Sequence, residues 1–395
     1  MVAVVGAAVS DSGAAQTRMA GYGDDALNLA AFAELLGSAE AGAAAEWRPS
    51  FVRLDDAELA EFQTLCHAHA VALHDPIGRQ LAELAAARLP AGPAAARAAL
   101  VEEIVDAAGG ATAVGNWVYL PWLARVVHLL GRDAYFEVIT NRNRDKITAE
   151  EQLRLRARCV GVLGLSVGGE IAVAIAQEHL CGRMVIADFD ELDLSNLNRL
   201  GAGFDDLGRN KAIIVARRIV RIDPYIDLTV LPDGVTAETL AGFLDGLDLL
   251  IEECDSLGLK HDIRLAAKQR RLNVVYAADE RGFLSVEPYA LWPELAVFHG
   301  RIAEAQPARE AYPSARAFFR ALTEWLGGWD GISARSRRSL EQVGTVLCGY
   351  PQLAGEARYA AGQITHVARR LLLGERLPPF VGQVDLDELL PTSHR

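Results

Sequence analysis

The chain has 395 residues, and 51% of them are apolar, so it has the composition of a globular protein and a length sufficient for about two to three domains. Its formal charge of −13 argues against broad binding to nucleic acids or to anionic membranes, because both favour a basic surface. The five cysteines form no C-x-x-C pair, which argues against a structural zinc site and indicates a reducing compartment, by default the cytoplasm.

The N-terminal third predicts a leader and a helical domain. Residues 1–45 are rich in alanine and glycine with little pattern, which predicts a flexible leader. Its apolar start is short and lacks a basic flank, so we expect neither a signal peptide nor a transmembrane helix. Residues 46–139 are rich in alanine and leucine at helical spacing, which predicts a helical domain. In that domain, Trp117, Tyr119 and Trp122 are expected to precede and begin one helix.

A short basic segment, TNRNRDK, separates this region from the rest of the chain. It contains Arg142 and Arg144, and its spacing alone predicts a solvated basic turn. A helix follows, because Thr148 and Glu151 form a capping-box pattern.

The next residues predict a strand, a turn, a helix and a second strand. Val160–Leu163 is a short β-branched run with the length of a buried parallel strand. Helical spacing begins at Glu170, and a second apolar run, Met184–Ala187, ends at Asp188. This order predicts a βαβ unit with a carboxylate at the tip of its second strand, which is the outline of a nucleotide site.

The turn between the first strand and the helix contains Gly164, Ser166, Gly168 and Gly169. Glycines let the backbone turn sharply and let a ligand approach closely, and the helix start presents unpaired N–H groups. Ser166 stands where such turns commonly have a glycine. A turn of this kind serves a nicotinamide dinucleotide as well as ATP, so the turn alone does not choose between them.

The loop after the second strand favours a triphosphate. It reads DELDLSNLNR over residues 190–199 and ends at Arg199, and the next helix opens with Lys211. Two fixed cations suit a triphosphate whose leaving group gains negative charge in the transition state. Hydride transfer to or from a dinucleotide needs no such pair.

Strands and helices continue to alternate beyond Lys211. Asp255 follows the strand predicted at residues 247–251, at the edge where ligands bind parallel sheets, although its spacing equally suits a helix N-cap. Lys260 on the next helix is a further candidate for contact with phosphates. Strands at 273–278 and 283–289 predict an antiparallel continuation of the sheet.

These motifs resemble those of the ThiF/MoeB/HesA superfamily, the ATP-dependent activating enzymes for ubiquitin-like proteins and sulfur carriers. The resemblance rests on the glycine turn, Asp188 with Asp190, the SNLNR segment, Lys211, and the pair Cys254 and Asp255. It covers about residues 142–289, and residues 362–374 resemble the closing helix of the family.

The resemblance implies an α/β fold with a Rossmann-like, mostly parallel sheet and an antiparallel extension, preceded by the helical N-terminal domain. The nucleotide-binding adenylyltransferase domain would span residues 140–290. A C-terminal loop or subdomain with the closing helix would span residues 291–395.

The resemblance also implies a reaction in which a substrate carboxylate attacks the α-phosphorus of ATP, giving an acyl adenylate and pyrophosphate. ATP would be held by Gly164, Ser166, Gly168, Gly169, Asp188, Asp190 and Asn196. Charge on the pyrophosphate would be neutralised by Arg199 and Lys211, and Asp255 would bind Mg²⁺. The protein would be a homodimer in which Arg142 or Arg144 reaches the ATP site of the partner.

Several alternatives stay open at this point. The carboxylate could belong to a ubiquitin-like carrier, a peptide tail, a small acid or a carboxylated tRNA adenosine, with Asp279 and Arg281 as candidate tail contacts. Cys254 or Cys348 could form a thioester. Two rival functions are an NAD-dependent oxidoreductase and a non-catalytic dimeric scaffold, and Ser166 in the glycine turn is the best support for the scaffold.

Overall fold

The computed structural model describes residues 17–18, 26–38, 47–302, 317, 320, 323–325 and 327–390. The strands of its N-terminal part are β1 (Thr17–Arg18), β2 (Ser50–Val52), β3 (Ala72–His74), β4 (Asn116–Leu120) and β5 (Arg125–Leu129). The helices of that part are α1 (Leu29–Gly37), α2 (Leu59–Ala68), α3 (Ile77–Arg88), α4 (Ala94–Ala108), α5 (Arg132–Ile139) and α6 (Ala149–Arg156).

The N-terminal region contains the predicted helices together with a four-stranded sheet, in the order β2-β4-β5-β3, that the sequence analysis did not predict. The helix expected around the aromatic residues is wrong. Trp117 and Tyr119 lie on β4, and Trp122 lies in a 3-10 turn that joins β4 to the antiparallel strand β5. Aromatic and β-branched residues favour a pleated, half-buried strand, and Pro121 begins the turn.

Most of the predicted leader, residues 1–45, lies outside the described residues. Its residues 29–37 form α1, which is capped by Asn28, whose side chain accepts a hydrogen bond from the Ala31 amide at 2.9 Å. Phe32 on this helix is fully buried, with its ring centroid 5.4 Å from that of Phe62. This part of the predicted leader is therefore packed against the N-terminal core.

The remaining elements follow in alternation. The strands are β6 (Cys159–Leu163), β7 (Arg183–Ala187), β8 (Asp227–Leu231), β9 (Leu249–Glu252), β10 (Asn273–Ala278), β11 (Phe283–Glu287) and β12 (Phe380–Gln383). The helices are α7 (Val167–Glu178), α8 (Lys211–Val220), α9 (Leu240–Leu244), α10 (Leu257–Gln269), α11 (Ala334–Gln342), α12 (Ala354–Leu372) and α13 (Leu386–Leu389).

An eight-stranded sheet in the order β1-β8-β7-β6-β9-β10-β11-β12 forms the centre of the fold. The five strands from β8 to β10 are parallel, and β1, β11 and β12 pair antiparallel at the two edges. The mostly parallel, Rossmann-like sheet with an antiparallel extension is therefore confirmed. The strand order reverses between β6 and β9, which in sheets of this kind creates a crevice at the carboxyl ends of the strands.

Helices cover both faces of this sheet. On one face α7, α8 and α12 bury a core that includes Val160, Met184 and Ile364. On the other face α9 and α10 bury a second core that includes Phe243 and Trp325. The burial of both faces explains why the strands read as nearly continuous apolar runs.

The segment predicted as a C-terminal loop or subdomain contributes to the main sheet. Its closing helix, α12, packs on α7 and begins at Ala354, well before the predicted start at Gly362. Residues 380–383 then form β12, the edge strand beside β11. Among the described residues, no helix combines the length and the apolar character that a membrane span requires.

Candidate active site

The glycine turn follows β6 directly, and of its predicted residues only Gly164 and Ser166 precede the helix, because Gly168 and Gly169 lie in the first turn of α7. Gly164 has a φ of +82°, and a Cβ added there would lie 2.6 Å from the backbone carbon and oxygen of Glu253. A Cβ on Gly169 would lie 2.9 Å from Val215 Cγ2, so this glycine lets α7 approach α8. Ser166 precedes α7 and makes no capping hydrogen bond with its side chain. The helix start is therefore presented at the turn without a side-chain cap.

Asp188, at the end of β7, connects the turn to the following loop. Its Oδ2 accepts a hydrogen bond from the Leu165 amide at 2.5 Å, and its Oδ1 accepts one from the Asp190 amide at 2.8 Å. Burial raises the pKa of this carboxyl group, while the two amides act in the opposite direction. Each carboxylate oxygen keeps a second lone pair, so these bonds leave capacity for one further donor each.

The other polar residues of the loop hold Lys211 and cap the turn that precedes Arg199. Lys211 is 8% exposed, and its Nζ lies 2.9 Å from Asp190 Oδ2. Asn196 is also buried, and its Oδ1 accepts a hydrogen bond from the Asp193 amide at 3.1 Å. That bond caps the 3-10 turn that ends just before Arg199. Asp190 thus positions Lys211, Asn196 caps the turn before Arg199, and neither lines the cavity described next.

A cavity of about 340 Å³ lies at the carboxyl ends of the parallel strands. It brings together Ser166, Arg199, Lys211 and Asp255, which come from four separate segments of the sequence. The other lining residues are Val167, Glu253, Cys254, Tyr276, Ala277, Ala278, Asp279, Glu280, Thr323, Ile332, Leu340, Gly349, Tyr350 and Gln352. The predicted helix start, cations and acidic residue therefore meet at one site.

Asp255 is available for a ligand at this cavity. Ser256, and not Asp255, caps α10, because the Ser256 Oγ accepts a hydrogen bond from the Leu259 amide at 3.4 Å. The alternative that Asp255 is a helix cap is therefore wrong. Asp255 is exposed, and no described residue donates a hydrogen bond to its carboxylate.

Arg199 faces two acidic neighbours. Its Nη1 donates to the Ser195 carbonyl at 3.3 Å and to Asn198 Oδ1 at 2.8 Å. Burial lowers the pKa of the guanidinium, and the nearby carboxylates of Asp279 and Asp255 act in the opposite direction. Arg199 is thus a partly desolvated cation between two carboxyl groups of the cavity.

Lys260 does not face the cavity, and its predicted role in phosphate contact is wrong. It is 2% exposed, and its Nζ lies 3.0 Å from Glu252 Oε1. Arg264 binds the other oxygen of Glu252 and, at 2.7 Å, Glu287 Oε2. Glu252 Oε1 also accepts a hydrogen bond from the Cys254 amide at 2.8 Å. This ion network, which the sequence analysis missed, therefore fixes the segment that carries Asp255.

Residues 332–352 form a second wall of the cavity and are attached to it through Glu280. This buried carboxylate accepts hydrogen bonds from the Ser333 amide at 2.7 Å, from the Tyr350 hydroxyl at 2.8 Å and from the Ser336 hydroxyl. The side chain of Gln352 donates to Asp279 Oδ2 at 3.0 Å. We call residues 332–352 the C-terminal wall.

The remaining candidates divide between the cavity and the surface. Arg281 binds Asp385 Oδ2 at 2.5 Å and so does not line the cavity, in contrast to Asp279. Burial and the neighbouring Glu252 raise the pKa of the Cys254 thiol well above its usual value, which disfavours a thiolate nucleophile. Cys348 is exposed.

Arg142 and Arg144 lie at the surface. Arg142 is in the 3-10 turn Thr140–Asn143, and Arg144 follows it. Neither arginine lines the cavity within the described part of the chain.

The parallel sheet, the glycine turn and the cavity with two cations at the carboxyl ends of the strands define a Rossmann-like α/β protein. Residues 140–317 match the ThiF family. The chain thus carries a ThiF family domain, which confirms its resemblance to the ThiF/MoeB/HesA superfamily.

Curated relatives align with different shares of this chain. The chain is 40% identical to the Mycobacterium tuberculosis protein MT1398 over 275 residues, which are 70% of this chain and 38% of the relative. It is 34% identical to the Bacillus subtilis tRNA threonylcarbamoyladenosine dehydratase over 123 residues, 30% of this chain and 48% of the relative. It is 28% identical to the Escherichia coli sulfur carrier protein ThiS adenylyltransferase, over 31% of this chain and 49% of the relative.

The chain thus spans half or less of the length of these curated relatives. Among solved structures, the Escherichia coli tRNA N6-threonylcarbamoyladenosine dehydratase TcdA in complex with ATP aligns with 62% of this chain and 97% of its own. The identity is 16% and the TM-score is 0.43.

Proposed function

We propose that this chain is an ATP-dependent adenylyltransferase that activates a substrate carboxylate as an acyl adenylate and releases pyrophosphate. The observation that carries the proposal is the single cavity that unites the start of α7 with Arg199, Lys211 and Asp255. The ThiF family domain supports it, as does the relative named as a ThiS adenylyltransferase.

The triphosphate would lie against the start of α7, where unpaired amides and the helix dipole favour anions. The unused lone pairs of Asp188 would accept hydrogen bonds from the ribose hydroxyls. The carboxylate oxygen of the substrate would attack the α-phosphorus, and the bond from that phosphorus to the bridging oxygen would break. The electron pair would leave with pyrophosphate, whose charge Arg199 and Lys211 would neutralise.

This reaction needs little acid–base chemistry, because a carboxylate is already ionised and nucleophilic at neutral pH. Positioning and fixed charges therefore supply the catalysis, and removing one such contact commonly costs about 10² to 10³ in rate. Asp190 would contribute by holding the Lys211 ammonium in place.

The residues at the cavity also fit Mg²⁺. Asp255 offers a carboxylate that no described residue engages in a hydrogen bond, and Mg²⁺ commonly takes one or two carboxylates and fills its remaining positions with waters and phosphate oxygens. The described residues contain no group of three or more His, Cys, Asp or Glu side chains that could hold a metal alone. When bound with the nucleotide, the ion would neutralise phosphate charge.

A homodimer is part of the proposal. Arg142 and Arg144 are exposed on the surface of the protomer. Either side chain would therefore be accessible to the ATP site of a partner, as the family resemblance implies. Light scattering coupled to size exclusion tests the dimer. A monomer at micromolar concentration would contradict this part.

The direct test is calorimetric titration with ATP, with and without Mg²⁺, and with NAD in parallel. We expect Mg²⁺-dependent ATP binding that Asp255→Asn removes. The matched control is Asp262→Asn, an exposed carboxylate on α10 outside the cavity. For Lys211→Ala, which should weaken ATP binding, the control is Lys268→Ala.

Each other result points to a rival. Binding of NAD alone would favour the oxidoreductase, and binding of neither nucleotide would favour the non-catalytic scaffold. With ATP binding established, pyrophosphate exchange can then be used to compare carrier tails, peptides and small acids as substrates. The cytoplasmic location stays a prediction.

A further inference from the structure

We propose that the substrate of this site carries a protonated amine close to the carboxylate that is activated, and that Asp279 binds this amine. The inference rests on the proposed adenylyltransferase function and names the class of its substrate. An amino acid or a short peptide with a basic group near its activated carboxylate would belong to this class.

The first observation is an unsatisfied carboxylate oxygen. Asp279 is 8% exposed and lines the cavity, and Gln352 donates a hydrogen bond to its Oδ2 at 3.0 Å. Its Oδ1 is buried and has no hydrogen-bond partner among the described residues. A buried polar atom without a partner is costly, so a donor is expected at this position.

The second observation is the charge around Asp279. The carboxyl groups that line the cavity are Glu253, Asp255, Asp279 and Glu280, and the cations that line it are Arg199 and Lys211. Lys211 is already paired with Asp190. The cavity therefore has an excess of acidic groups beside Arg199.

The donor expected at Oδ1 is therefore a cation. Three donors already satisfy the neighbouring Glu280, whereas the Oδ1 of Asp279 has no donor among the described residues. Burial and the nearby Glu356 raise the pKa of Asp279 to about 7, with Gln352 and Arg199 acting against this and Asp255 in the same direction. An ammonium group of the substrate would relieve the repulsion between Asp279 and the carboxylates of Glu356 and Asp255, whereas a further carboxylate at Asp279 would add to it.

The test uses sulfamoyl adenosine analogues of the acyl adenylate, because the adenosine part provides affinity whatever the natural substrate is. Glycyl, β-alanyl and γ-aminobutyryl analogues are each compared with the acetyl, propionyl or butyryl analogue that lacks the amine. Calorimetry at about pH 8, above the pKa of Asp279, should show that at least one amine analogue binds about tenfold or more tightly than the matched analogue without the amine.

The variants assign this preference to Asp279. Asp279→Asn keeps the size of the side chain and an acceptor for Gln352, and it should reduce the preference to near equality. Asp262→Asn, the exposed control, should keep it. In the wild-type chain the preference should also decline as the pH falls below about 7, because Asp279 then becomes neutral.

The outcomes separate this inference from the proposed function. If all analogues bind equally well with and without the amine, or if Asp279→Asn keeps the preference, the inference is wrong while the adenylyltransferase proposal stands. If no analogue binds and ATP does not bind either, both are wrong.

Discussion

Replacing Arg264 by methionine should lower the free energy of unfolding by about 3–5 kcal/mol, the range for breaking a buried ion pair. Arg264 is fully buried, and it binds Glu252 and Glu287, which are both 0% exposed. Methionine fills much of the same space but carries no charge. The substitution therefore tests the electrostatic role of the arginine more than its packing.

The expected loss of stability follows from the partners that Glu252 and Glu287 each retain when Arg264 is replaced. Glu252 would retain Lys260, whose Nζ lies 3.0 Å from its Oε1. Glu287 would retain neutral donors, the Tyr289 hydroxyl at 2.7 Å and the Phe298 amide at 2.8 Å. One buried carboxylate would thus lose its cation, which is why the value for an exposed pair, about 0–1 kcal/mol, does not apply.

Equilibrium urea unfolding followed by tryptophan fluorescence is a suitable assay, because the Trp325 ring lies 4.8 Å from the Arg264 guanidinium carbon. Arg270→Met, at the exposed end of α10, is the control and should change stability by less than about 0.5 kcal/mol. The double variant with Glu287→Gln should recover most of the loss, because it removes the unpaired charge.

A loss below about 1 kcal/mol in Arg264→Met would contradict the electrostatic role of Arg264, because a buried carboxylate without its cation should cost more than that. That role would also be contradicted if the double variant were no more stable than the single one.

Two further predictions concern the turn and the cysteines. Gly164→Ala should destabilise the protein by about 1–3 kcal/mol and weaken ATP binding, because alanine is strained at the positive φ of this position and its Cβ would clash with the backbone of Glu253. Thermal melting and ATP titration test this, with Gly362→Ala as the control, because a Cβ added there meets no atom within 4 Å. Iodoacetamide at about pH 7.5 should alkylate the exposed Cys348 and leave Cys254 unmodified, because a raised pKa leaves little thiolate. Peptide mass spectrometry measures both modifications, and alkylation of Cys254 at a rate similar to that of Cys348 would contradict this prediction.

The elements around the turn were predictable from local sequence. The first strand, expected at Val160–Leu163, is observed at Cys159–Leu163, and the second, expected at Met184–Ala187, is observed at Arg183–Ala187. Strands buried on both faces read as short apolar runs, and a turn rich in glycine marks where the first one ends. Local pattern therefore placed the acidic strand tip correctly, whereas the helix expected from Glu170 begins three residues earlier, at Val167.

The N-terminal sheet was not predictable in the same way. Its strands β2 and β3 have three residues each and lie within a sequence rich in alanine and leucine, so helical periodicity dominates the pattern. The capping of α10 by Ser256 was equally hidden, because Asp255 and Ser256 are both good cap residues and only the backbone geometry distinguishes them.

Long-range pairings were also outside the reach of local pattern. The bond between Tyr350 and Glu280 joins residues 70 positions apart, and that between Gln352 and Asp279 joins residues 73 apart. No periodicity links such positions, so the C-terminal wall could not be assigned to the cavity. The ion network gave no local signal either: the pattern of α10 predicted Lys260 as a phosphate contact, and nothing in it linked Lys260 or Arg264 to Glu252.

The two sides of the cavity come from distant parts of the gene. Residues 166–255 supply the proposed ATP side, and the C-terminal wall lies between β11 and α12, after the parallel strands are complete. Under the proposed function, insertions or replacements in that wall would change the surface that faces the acid while leaving the proposed phosphate-binding residues in register. Under the same proposal, this layout marks residues 332–352 as the segment to exchange in chimeric proteins designed for a new acid.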